Sequence, residues 1–202
     1  MRPAPIGECV VEIGADYVGR NAGHFSGRLA AGDKEIARFT ALMQRKEALP
    51  VPDGTPGHPA PQAPKPVDQC PVVTIPFANE GFGYAELVEN RLAAGKFFDG
   101  PCSAWFRMNH PLVADEDPSP YQRVAVAADS GNGISAALDF KLYLFANCDL
   151  TINLFRRPAG EWICLESASR FGGNGCGLAE SALYDEVGLI GRAIQTLAVR
   201  KR

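Results

Sequence analysis

Eight of the sixteen prolines fall between Leu49 and Pro71, at Pro50, Pro52, Pro56, Pro59, Pro61, Pro64, Pro66 and Pro71. Proline has no amide hydrogen to donate, and it pushes the residue before it out of the helical region. No helix or central strand can therefore run through this tract. It reads as an extended, semi-rigid connector, and it lacks the flanking Arg of a clean proline-rich ligand motif. The chain is thus divided into a front part, 1–48, a linker, 49–75, and a longer back part, 76–202.

In the front part, Val11, Ile13, Ala15 and Tyr17 alternate with Glu12, Gly14 and Asp16. Phe25, Gly27 and Leu29 alternate with Ser26 and Arg28, and Ala37, Phe39, Ala41 and Met43 with Arg38, Thr40 and Leu42. A period of two is the signature of a half-buried strand, and Gly32-Asp33 supplies a turn, so three antiparallel strands are expected. The back part opens with two strand candidates, Tyr84 to Leu92 and Cys102 to Asn109. Ser119-Pro120-Tyr121-Gln122 then has the spacing of a capping box with a first-turn proline. The helix that follows should pass through Val124, Ala127 and Ala128 and stop near Gly131 or Gly133. Leu142 to Arg156, Glu161 to Arg170, and Gly177 to Val199 with a bend at Asp185 to Gly188 read as three long strands. Two strands, a buried helix and three strands make an α+β unit in which an antiparallel sheet wraps a central helix. The front part matches the late strands of such a unit, as a faint duplication without its opening strand and helix.

Composition excludes more than it selects. Hydrophobic residues make up 46% of the 202 residues and charged residues 21%, which suffices for a packed core. A net charge of −3 with both signs interspersed offers no basic stripe for nucleic acid. No apolar run is long enough to span a bilayer, and Met1 to Gly7 has no apolar region of the secretory type, so a cytoplasmic protein is expected. Cys9, Cys70, Cys102, Cys148, Cys164 and Cys176 are scattered without a C-x-x-C pair and read as reduced thiols. His24, His58 and His110 are too far apart to suggest a metal cluster or dyad, and no cofactor is expected. The chain has no G-x-S-x-G or P-loop, and Glu86 breaks the G-x-G-x-x-G frame begun by Gly81-Phe82-Gly83.

Four segments carry a more specific signal. They are Ala128-Asp129-Ser130-Gly131-Asn132-Gly133, the run from Asn147-Cys148-Asp149-Leu150-Thr151 to Arg156-Arg157-Pro158, Glu161-Trp162-Ile163-Cys164-Leu165-Glu166, and Gly191-Arg192-Ala193-Ile194-Gln195-Thr196. In this order and spacing they resemble the second hotdog of the acyl-CoA thioesterase II family, over roughly residues 80 to 200. Residues 3 to 45 more faintly resemble the late strands of that family's first hotdog. The resemblance implies a double hotdog with an incomplete first copy. It further implies hydrolysis of acyl-CoA by a water molecule, with neither a covalent acyl-enzyme nor a metal. In the family an Asp at the helix end, a hydroxyl residue on the following strand and a Gln on the last strand hold that water. By position these are Asp129, Asn147 and Gln195. Asn147 departs from the hydroxyl, and Thr151 is the nearest hydroxyl to it.

The residues can also be weighed on their own. Asp129 shares a helical face with Ala125 and Val126, where a carboxylate is short of water and suited to take a proton. The plainer reading is a helix-end residue bonded to a turn. Gln195 alternates onto the face of Ala193, Leu197 and Val199, where an amide needs a buried partner. Core bonding alone would also explain it. Gly131 and Gly133 could let backbone amides approach a thioester carbonyl, or could simply end the helix. Three functions remain open: hydrolysis of acyl-CoA, a non-catalytic hotdog that binds acyl-CoA or only assembles, and enoyl-CoA hydration, against which stands the lack of a His near Asp129. An exposed sheet edge in the front part predicts a homo-oligomer.

Overall fold

In the computed structural model of the chain, residues 5–55, 64–74 and 83–202 are described. Pro56, Pro59, Pro61, His58 and Gly81-Phe82 lie outside them. The chain divides into two units, Met1–Pro59 and Ala60–Arg202.

The first unit holds β1 (Val10–Val18), β2 (Ala22–Ala31) and β3 (Lys34–Gln44), an antiparallel sheet in the order β1-β2-β3. The β2–β3 turn falls at Gly32, whose φ of 59° is the left-handed conformation the expected Gly32-Asp33 turn needs. Register brings Ile13, Gly27 and Phe39 side by side, with Val11, Leu29 and Ala37 in the neighbouring row. The opposite face is polar: Arg28 Nε donates to Glu12 Oε2 at 2.7 Å, and Ser26 Oγ to Asp16 Oδ1 at 2.7 Å. The alternation predicted half-buried strands, yet β1 is exposed at every residue. Among the described residues this unit contains strands only, so no helix of its own covers the apolar face.

The second unit is built on a seven-stranded antiparallel sheet. Its strands are β4 (Val88–Ala94), β5 (Cys102–Met108), β6 (Tyr143–Asn147), β7 (Thr151–Leu154), β8 (Ile163–Phe171), β9 (Cys176–Asp185) and β10 (Gly188–Lys201). They run in the order β4-β5-β8-β9-β10-β6, and β7 also pairs with β10. A short helix α1 (Tyr84–Leu87) precedes β4, so the strand expected from Tyr84 begins only at Val88. The inner face carries α2 (Pro120–Ala128) and α3 (Gly131–Ser135), which pack on β5, β8 and β9. The capping box forms as its spacing predicted: Gln122 N donates to Ser119 Oγ at 3.2 Å and Ser119 N to Gln122 Oε1 at 2.6 Å. Val124, Ala127 and Ala128 of α2 bury themselves against Ala104, Phe106, Ile163, Leu165 and Leu183. At about 25 cal/mol per Å² of apolar surface, this inner layer is the main favourable term holding helix to sheet.

Two further segments depart from the sequence reading. The helix does not run unbroken to the glycines but ends at Ala128, and α3 begins three residues later at Gly131. The strand expected from Leu142 to Arg156 is two strands. Asn147 pairs with Leu197 and Thr151 with Ile194, so four steps on one strand face three on β10. That extra residue is a bulge, and Asp149 stabilises it by accepting from Thr196 N at 2.7 Å and Thr196 Oγ1 at 3.2 Å. The turn at Asp185 to Gly188 falls where expected, with Asp185 Oδ1 accepting from Val187 N and Gly188 N.

On the outer face, Trp105, Trp162, Cys164 and Tyr184 form a second cluster with Cys70. The end of the proline-rich tract docks there: Trp105 Nε1 donates to Lys65 O at 2.8 Å, and Leu92 N to Pro71 O at 3.0 Å. Pro71 thus sits beside β4, an edge strand, where proline is tolerated. Among the described residues no helix is long and apolar enough to cross a membrane.

Candidate active site

Polar residues gather where α2 gives way to α3, opposite the middle of β10 and the end of β6. Asp129 is the residue that follows α2, with φ −65° and ψ −20°. The apolar enclosure expected from Ala125 and Val126 is absent: Ala125 and Asp129 are both exposed. The face of α2 toward the sheet is that of Val124, Ala127 and Ala128, so the break carries Asp129 to the rim.

Gln195 is the opposite case, 1% exposed and fully bonded. Its Oε1 accepts from Asn132 N at 3.0 Å, while its Nε2 donates to Asp129 O at 3.0 Å and to Asp129 Oδ1 at 3.4 Å. A buried amide on an apolar strand face is tolerable only with such partners. Asn147, at the end of β6, donates from Nδ2 to Asp129 Oδ1 at 3.1 Å and to Asp129 O at 3.3 Å. Asn132 closes the ring, its Nδ2 donating to Asn147 Oδ1 at 3.3 Å. Two amides therefore grip one carboxylate oxygen. Among the described residues no hydrogen bond reaches the other, Oδ2, which leaves a free acceptor on an exposed residue.

The structure thus brings Asp129, Gln195 and Asn147 together, and it does not bring Thr151. The bulge explains why. Asn147 pairs with buried Leu197 and shares its inward face, whereas the extra residue turns Thr151 outward beside exposed Ile194. The two glycines also differ. A Cβ on Gly131 would lie 2.6 Å from Ser181 Oγ and 3.1 Å from Gln195 Oε1, so Gly131 is what lets α3 seat on β9 and β10. A Cβ on Gly133 would meet nothing within 4 Å. Beneath Gly131 lies a layer of small hydroxyls, with Ser167 Oγ and Ser181 Oγ 2.7 Å apart and Ser135 Oγ and Ser169 Oγ 2.8 Å apart. Asn132 did not stand out in the sequence; the available signal was its i, i+3 spacing from Asp129 across a helix break. Tyr84 OH lies 2.8 Å from Ser130 Oγ at the same break; burial raises its pKa above the ordinary phenol value.

Solved structures share this architecture. The acyl-CoA thioesterase II TesB2 of Mycobacterium marinum is 18% identical with a TM-score of 0.68, covering 100% of this chain and 78% of that one. A hot dog fold protein from Alicyclobacillus acidocaldarius is 15% identical with a TM-score of 0.70, over 95% of this chain and 72% of that one. The tesB protein of Mycobacterium avium subsp. paratuberculosis is 13% identical with a TM-score of 0.66, over 99% of this chain and 75% of that one. At these identities the likeness shows the fold, an α+β hotdog. No curated protein matches the chain in sequence. The family model for the acyl-CoA thioesterase C-terminal domain matches residues 52–199, well over half of the chain, and the protein accordingly belongs to the acyl-CoA thioesterase family.

Proposed function

We propose that the protein hydrolyses acyl-CoA to a free carboxylic acid and CoA, using a water molecule that Asp129 and Gln195 position with the help of Asn147. The observation that carries this reading is the Asp129 carboxylate, with Oδ1 clamped by Gln195 and Asn147 and Oδ2 open. Water bound at Oδ2 gives its proton to the carboxylate as its oxygen adds to the thioester carbonyl. The tetrahedral intermediate then expels CoA as a thiolate, which takes up a proton. Gln195 and Asn147 serve by fixing the base, so that little reorganisation remains at the moment of attack.

Release of free CoA from acetyl-, octanoyl- and palmitoyl-CoA, followed with a thiol reagent, tests the reading. Asp129→Ala should lower kcat by on the order of 100-fold or more. Release from none of the three, or an Asp129→Ala protein as active as the parent, would sink it. A second reading is favoured by Asn147, an amide where the family carries a hydroxyl: a hotdog that binds acyl-CoA or assembles with other subunits without turning it over. Tight binding of octanoyl-CoA in calorimetry with no CoA released selects that one.

We further read the first unit as the late strands of a partial hotdog, and the protein as a cytoplasmic homo-oligomer. Supporting the oligomer are Val11, Ile13, Phe39 and Met43, large apolar side chains left exposed on one sheet. A monomer mass in light scattering would count against it.

A further inference from the structure

We propose that Asn132 is the positioning residue of this site, setting the direction of both amides that hold Asp129. The inference rests on the reading of Asp129 as the proton acceptor. A carboxylate can only accept, so the end of Asn147 that faces Asp129 is its NH2, and the carbonyl end is turned away. A terminal amide has a broad, nearly two-fold torsion and does not hold such a direction unaided. Turned around, it would set Oδ1 against the Asp129 carboxylate, acceptor against acceptor. The Asn132 side chain prevents this by donating from Nδ2 to Asn147 Oδ1. Its backbone does the same for Gln195: Asn132 N donates to Oε1, which commits Nε2 to Asp129.

A second observation points the same way. Asn132 is 6% exposed, and among the described residues its own Oδ1 is buried without a partner. The direction of the ring requires this, because with Nδ2 aimed at Asn147 the carbonyl must aim elsewhere. A buried acceptor left without a protein partner costs stability. An apolar side chain of the same size would pack there without that cost, so the amide is better explained by what it does for Asn147 than by packing.

The backbone donor survives replacement of the side chain by Leu or Asp, which keeps α3 tied to β10 and makes the test clean. Asn132→Leu removes the donor at similar volume, and Asn132→Asp keeps the shape but offers only acceptors. With the acyl-CoA of the three that is turned over fastest, both variants should lose kcat by on the order of 10- to 100-fold. KM should be unchanged, and the Tm of Asn132→Leu should equal or exceed that of the parent. If both variants keep the parent kcat while Asp129→Ala abolishes turnover, the role of Asn132 is overturned and the reading of Asp129 stands. A loss of kcat in Asn132→Leu matched by a fall in its Tm would make Asn132 structural and likewise overturn it. Should Asn132→Leu not fold, Asn132→Asp carries the test. An Asp129→Ala protein of full activity removes the reading beneath and this inference with it.

Discussion

The two units put the same alternating pattern to opposite uses. In the second, Ile163, Leu165 and Ser167 of β8 and Ala179, Ser181 and Leu183 of β9 alternate into the buried layer under the helices, and Leu165 and Leu183 are 0% exposed. In the first, Ile13 keeps the same place in the alternation and is 67% exposed. A period of two determines which residues share a face; only an element laid upon that face decides whether they leave water. Charge follows the same division. Glu12 and Arg28 pair in solvent, where such pairs contribute little. Asp185, 1% exposed, meets Arg156 through two bonds of 2.6 Å and also accepts from three backbone amides, a pair that cannot lose one partner cheaply.

The sharpest way to test the contrast is to cut both ion pairs. Asp185→Ala should cost about 3–5 kcal/mol in urea denaturation, since it strands Arg156, whereas Glu12→Ala should leave the midpoint where it was. Asp185 also has a pH signature. Burial alone would raise its pKa, but Arg156 and the amides of Ala159, Val187 and Gly188 outweigh that and hold it below the ordinary carboxylate value. Its stabilisation is therefore complete above the unfolded value near pH ~4 and is lost as pH falls through the lower native one. Asp185→Asn should flatten that acid limb, and an unchanged limb would show that other carboxylates dominate it.

Next in size, Leu183→Ala should cost about 2–5 kcal/mol and leave a cavity, while Ile13→Ala, at a dilution where light scattering gives the monomer mass, should cost far less by the same denaturation measurement. An equal cost at Ile13 there would break the comparison and mean that the first sheet is covered within the single chain. The smallest effects separate the two glycines of α3. Gly131→Ala should lose about 1–3 kcal/mol by pressing on Ser181 and Gln195, and it should lower acyl-CoA turnover as well. Gly133→Ala, in open space, should gain up to about 1 kcal/mol from helix propensity. Thermal melts of the two variants decide it.

Most of the fold was legible because its signals are local. The capping box at Ser119 and Gln122, the turns at Gly32 and at Asp185 to Gly188, and the strand alternation depend on residues within a few positions of one another. At the candidate site, Gln195 could be read because a polar residue on an apolar strand face needs an explanation wherever it occurs. The solvation of Asp129 could not, since the helix break, rather than the helix period, sets its exposure. Nor could the choice between Asn147 and Thr151, which one extra residue opposite β10 decides.

By itself the sequence determined most of the elements, their order and the family, all of which are written in residue type and spacing. Tertiary structure alone decided which faces are covered, which side of the sheet Thr151 takes, and that Asn132 closes a ring of hydrogen bonds around Asp129. The reason is one of range: propensity, capping and alternation act through adjacent residues. Burial, register and hydrogen-bond direction arise only when strands as far apart as β6 and β10 are set side by side.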